Sequence, residues 1–167
     1  MVITKKKIIS HHVFKLSSFL IALIVAIWPV PFSFAHFRPE FVCILVIYWT
    51  LHTPLNTGLV YVWCVGLVQD IMENTTWGAH ALALTLIAFV CLSSYRRMRS
   101  FSIWQQSLWV FILVGAHQVI VSWILSLSNH PSKVSFLVVP EVVSALLWPI
   151  LNAVLYRLRY EYRTHFR

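Results

Sequence analysis

Residues 37–72 read FRPEFVCILVIYWTLHTPLNTGLVYVWCVGLVQDIM, and how this stretch is divided decides the fold. Both halves are apolar, and between them His52, Thr53, Pro54, Asn56 and Thr57 form a polar break that carries no acidic or basic charge. As one helix the stretch would rise about 54 Å at 1.5 Å per residue, against a hydrocarbon core of about 30 Å, and ordinary tilt does not absorb that difference. The break is therefore read as a turn between two short membrane spans.

The same ruler applied outward gives apolar runs over about residues 16–34, 37–51, 55–72, 77–95, 103–127 and 134–156. Backbone in lipid must satisfy its own hydrogen bonds, so runs of this length read as helices. The expectation is an all-α polytopic membrane protein with six transmembrane helices. A basic cytoplasmic segment over 1–15 precedes the six-helix domain of 16–156, and a basic cytoplasmic tail over 157–167 follows it. Composition agrees: mean hydropathy is +0.77, with 59% hydrophobic and 11% charged residues, a balance that does not cover a water-facing surface.

The formal charge of +8 is concentrated between the apolar runs. Lys5, Lys6, Lys7 and Lys15 precede the first, Arg96, Arg97 and Arg99 follow the fourth, and Arg157, Arg159, Arg163 and Arg167 follow the sixth. Lys and Arg near span ends favour the cytoplasmic side. Six spans put all three clusters and both termini on that side and leave only Arg38 and Lys133 outside. Fusing 37–72 into one helix would set the first cluster opposite the others. The tail, with Tyr156, Tyr160 and Tyr162 among its arginines, reads as a juxtamembrane segment meeting anionic lipid rather than nucleic acid. A cleaved signal peptide, with Ser33-Phe34-Ala35 near the cleavage position, is the alternative reading of the first run. Trp28, Trp49, Trp77 and Trp104 fall near span ends as interfacial anchors, whereas Trp63, Trp109, Trp123 and Trp148 lie deeper, as packing residues.

Ionisable groups at membrane depth call for a partner, a cavity or the interface. Under this topology Glu40, Asp70, Glu73 and Glu141 all fall in the outer half, level with Arg38 and His80. Either this polar cluster is a docking point or pocket mouth, or Arg38 pairs with a carboxylate while the rest meet headgroups and water. On the third span, Gly58, Val62, Val65, Gly66, Gln69 and Asp70 share one helical face, a small and polar stripe suited to close helix packing. His117, Gln118 and Ser122 put polar groups inside the fifth span, and Pro140 and Pro149 predict a kinked or broken sixth. No nucleophile with a base, no HExxH or HxxxH pattern and no CxxC pair is present, so no enzymatic activity, metal or cofactor is expected. Cys43, Cys64 and Cys91 read as small apolar residues.

Several of these motifs occur together in one known family. Phe37-Arg38-Pro39-Glu40, Tyr48-Trp49, Gly58, Gly66-Leu67-Val68-Gln69-Asp70 and Gly78-Ala79-His80-Ala81-Leu82 resemble, in order and spacing, the MreD family of bacterial rod shape-determining proteins. Trp104-Gln105-Gln106, Pro140-Glu141, Leu147-Trp148-Pro149 and the basic tail are similar to later segments of the same family. The resemblance implies a non-enzymatic component of the elongation machinery in the bacterial inner membrane. It implies MreC as a direct membrane partner, with MreB filaments, RodA and the elongation transpeptidase in the same assembly. Arg38, Pro39, Glu40, Asp70, His80 and Glu141 are the partner or pocket candidates, and Gly58, Gly66, Gln69, Gly78, Trp148 and Pro149 the packing candidates. A solute-binding or transport component, with Asp70, Gln69, His117 and Glu141 lining an outward pocket, is the competing class.

Overall fold

The computed structural model describes residues 2–27, 39–54, 57–128 and 138–164, and within them the side chains from Val13 to Arg159. Six helices follow one another: α1 (Val2–Ile27), α2 (Phe41–His52), α3 (Leu59–Met72), α4 (Ala79–Arg99), α5 (Ile103–Leu127) and α6 (Val138–Thr164). Among the described residues the fold is all-helical. Trp28, Arg38 and Lys133 lie outside them.

The break at Pro54 is a turn. The backbone N–H of Thr53 and the hydroxyls of Thr53 and Thr57 all bond to the carbonyl of Trp49, closing the end of α2 with side-chain donors. Lys15, which sequence reasoning assigned to the basic segment outside the span, is instead buried against this turn. Its Nζ lies 2.9 Å from Thr57 Oγ1 and 4.0 Å from the centroid of the Tyr61 ring, so a hydroxyl and an aromatic face solvate the ammonium.

α2 is the core of the bundle. Its ten residues from Val42 to Leu51 are all buried, and it touches α1, α4, α5 and α6. With 12 residues it is about 18 Å long, the length of a buried core helix rather than of an independent span. Trp49 therefore packs inside, with its indole N–H donating to Ser18 Oγ at 3.0 Å, and does not anchor at an interface. Among the described residues, three helices are long and apolar enough to cross a membrane: α4, α5 and α6 through Arg159. They carry outward rows of large apolar side chains, such as Leu82, Leu86 and Phe89 on α4 and Leu146 and Ile150 on α6. Trp63 and Trp123, expected in the packing, face outward as well.

α6 is one continuous helix. Pro140 lies in its first turn, where no backbone donor is needed, and Pro149 is accommodated inside it. One turn of structure between α4 and α5 is held by Gln106, whose amide bonds the carbonyls of Met98 and Phe101. The Gln106 carbonyl in turn accepts from the indole of Trp148 at 3.3 Å, which fastens the middle of α6 to the start of α5.

Candidate functional site

The expected stripe on α3 is the surface it buries: Val62, Val65, Gly66, Gln69 and Asp70 are its buried residues, and α4 is its principal neighbour. The two backbones touch at Gly66. A Cβ there would sit 2.7 Å from the amide nitrogen of Ala81 and 3.0 Å from the carbonyl carbon of His80, and both neighbours are main chain. Glycine is the residue that permits this approach.

One turn further along, Asp70 closes the hairpin. α4 starts at Gly78, which adopts φ +95° and has no side chain to cap the helix. Asp70 supplies the cap from the preceding helix. Its Oδ2 accepts from the backbone N–H of Gly78 at 2.9 Å and of Ala81 at 3.3 Å, and its Oδ1 from the N–H of His80 at 2.9 Å. The same Oδ1 accepts from His80 Nδ1 at 2.9 Å and from the Thr75 hydroxyl at 3.0 Å. Asp70 is only 1% exposed, and these bonds replace the water it lacks. A carboxylate over a helix N-terminus also meets the positive end of the helix dipole.

The network continues to the bundle end. Because Nδ1 of His80 faces Asp70, its Nε2 points toward Glu73, 3.7 Å from Oε2. Glu73 Oε1 accepts from the Gln69 amide nitrogen at 2.9 Å, which leaves Gln69 Oε1 buried without a partner. The ring of His117, from α5, lies 5.7 Å from that of His80, and neither of its nitrogens has a partner. Next to this network a polar cavity of about 170 Å3 is lined by Pro39, Glu40, Gln69, Glu73 and Pro140, among others.

The structure thus gathers Asp70, His80, Gln69, Glu73 and His117, with Pro39 and Glu40 on the adjoining cavity. Glu141 has a different setting: its carboxylate lies on the α5/α6 contact, about 3.1 Å from where a Cβ on Gly115 would stand, so the bare glycine makes its room. Two packing candidates play other parts. Gly58 precedes α3 in extended backbone, where an added Cβ would meet open space, and a Cβ on Gly78 would likewise have nothing within 4 Å; its need is the positive φ. Trp148 is buried as expected of a packing residue. Pro149 lines a groove of about 510 Å3 between α5 and α6. Gly115 and Lys15 carried no sequence signal for these roles, because each depends on a side chain brought in from another helix.

Apolar helices, three of them among the described residues long enough to cross a bilayer, with a buried carboxylate fixing α3 to α4, define a small helical membrane protein. Comparison with known proteins gives the family. The model of the rod shape-determining protein MreD family matches residues 6–158, and the chain belongs to that family. The rod shape-determining protein MreD of Haemophilus influenzae is 26% identical over 151 residues, covering 90% of this chain and 93% of that protein. No solved structure matches the chain significantly. Family membership gives it a role in determining rod shape.

Proposed function

We propose that the chain is a non-enzymatic scaffold of the elongation machinery, crossing the bacterial inner membrane six times with both termini cytoplasmic. It binds MreC through its membrane helices and helps couple MreB filaments to the peptidoglycan synthesis carried out by RodA and the elongation transpeptidase. The observation that carries this reading is the state of Asp70. A carboxylate that caps the neighbouring helix and is closed off from solvent holds a shape; it is not placed to exchange protons or bind a solute. What it fixes is the α3–α4 hairpin, whose outer surface of large apolar side chains offers a partner helix a rigid template.

Shortness of α2 and α3 is compatible with six crossings. α2 is solvated by protein rather than by lipid, and non-helical backbone is tolerated at membrane depth where protein surrounds it. The competing transport reading needs Asp70, Gln69, His117 and Glu141 on one pocket. Of these only Gln69 lines the polar cavity, whose volume of about 170 Å3 is below the roughly 300 Å3 at which solute pockets begin. Complementation of a depleted strain with Asp70→Ala or Gly66→Leu tests the proposal. Rounded cells and loss of MreC on pull-down, with the variant still in the membrane, support it; rod-shaped cells with full MreC retention overturn it.

A further inference from the structure

We infer that the groove between α5 and α6 docks a membrane-spanning helix of a partner protein, which donates a hydrogen bond to Glu141 near the middle of its span. The groove, about 510 Å3, runs along the seam of the two helices. Trp104, Ser107, Phe111 and Gly115 follow one another at helical spacing on α5, as Glu141, Ala145 and Pro149 do on α6. The helices run antiparallel, since Gln106 meets Trp148 while Gly115 meets Glu141. Glu141 and Gly115 therefore stand in line with the groove, one turn beyond Ala145 and Phe111. Side chains are small at Ser107 and Ala145, and the exposed Trp104, Leu108 and Leu146 form the rims. A valley of this kind receives the side-chain ridge of another helix.

Glu141 decides what the occupant must bring. The residue is 8% exposed, and among the described residues its carboxylate makes no hydrogen bond or ion pair. Its place in the first turn of α6 lends it the helix dipole but no donor. Gln69 Oε1 and the His117 nitrogens are sealed inside the protein, whereas the Glu141 oxygens keep accessible surface beside the bare Gly115. A carboxyl group held in a membrane helix in this way calls for a partner.

Depth chooses the source. Gly115, against which the carboxylate packs, lies halfway along α5, about 18 Å from either end at 1.5 Å per residue. Lipid headgroups stop near the ends of such a helix, and acyl chains carry no donor. A second copy of this chain, crossing in the same sense, brings its own Glu141 to the same depth and sets one carboxyl group against another. A different helix with a donor at mid-span meets the requirement. The inference rests on the scaffold reading only in giving the chain a helical partner. The seam is formed by helices other than α3 and its test contains no MreC, so either can fail alone.

Energy transfer in lipid bilayers tests the site, from a dye on the exposed Cys64 of the full chain to an acceptor on a synthetic membrane-spanning peptide of leucine and alanine. Two peptides are compared, identical except for asparagine or leucine at the centre. The native chain binds the asparagine peptide about fivefold more tightly, the scale of one interhelical hydrogen bond. Glu141→Leu abolishes that preference, and Glu141→Gln, which keeps its hydrogen-bonding capacity, retains most of it. Ala145→Phe fills the groove and weakens binding of both peptides by about fivefold or more. Thermal unfolding unchanged from the native chain shows that each variant is folded. Equal binding of the two peptides by the native chain overturns the inference without recourse to any variant. An undiminished preference in folded Glu141→Leu, or unchanged binding in folded Ala145→Phe, overturns it too. Self-association of the native chain that Ala145→Phe abolishes makes a second copy the occupant and overturns the partner helix.

Discussion

Gly66→Ala is the smallest change that reaches the α3–α4 contact, and its consequence can be worked from the geometry. The added Cβ would stand 2.7 Å from Ala81 N and 3.0 Å from the His80 carbonyl carbon, where ordinary contacts begin at 3.4 Å. The obstructing atoms are main chain of a helix start, so no rotamer change relieves the overlap, and α3 and α4 must separate by several tenths of an ångström or more. That movement lengthens the hydrogen bonds from Gly78, His80 and Ala81 to Asp70, which is one turn away. Overpacking of a tight contact costs about 1–3 kcal/mol, and the strained cap puts Gly66→Ala toward the upper end. At roughly 2–4 °C per kcal/mol for a chain of this size, the purified variant melts about 4–12 °C below the native protein. A second substitution sharpens the test: Ala81→Gly removes a side chain but none of the obstructing backbone, so it does not rescue Gly66→Ala. An unchanged melting temperature in Gly66→Ala, or full rescue by Ala81→Gly, would refute the reasoning.

Other consequences follow from the same network. Asp70→Ala leaves buried donors of α4 unsatisfied and costs about 3–5 kcal/mol, read as a loss of thermal stability with early hydrogen exchange at the start of α4. Gly78→Ala forces a Cβ into left-handed backbone at φ +95° and destabilises by about 1–2 kcal/mol in the same melting assay, although the site has open space. Trp148→Phe keeps the ring in the core but deprives the Gln106 carbonyl of its donor; a loss of about 1 kcal/mol is expected, with a larger loss for Trp148→Ala.

Much of the helical order was legible from residue type alone. The polar residues around Pro54 end one helix and begin another, the limits of α5 coincide with the apolar run of 103–127, and the face bearing Gly66, Gln69 and Asp70 is the face α3 buries. A 3.6-residue period identifies such a face whatever covers it. The partners were not legible. Asp70 is held chiefly by backbone N–H groups, which every residue but proline possesses, so the sequence around Gly78 shows no complementary side chain. α2 is apolar on all sides, and that pattern is the same whether lipid or protein surrounds it; Trp49 was placed at an interface for this reason. Lys15 adjoins a basic cluster in sequence and only the turn at Thr57, brought in from 42 residues away, makes it an internal residue. Glycines at Gly58, Gly66, Gly78 and Gly115 look alike in sequence, yet they serve an open helix start, a backbone contact, a positive φ and room for a carboxylate.

The central claim is that the hairpin fixed by Gly66 and Asp70 presents the surface that MreC binds. Its most direct measurement is the amount of MreC that co-purifies with Gly66→Leu compared with the native chain, at equal levels of each in the membrane. The account predicts that Gly66→Leu keeps only a minor fraction of the MreC bound by the native chain, in cells that have lost their rod shape. Full MreC recovery on Gly66→Leu in rod-shaped cells would contradict it.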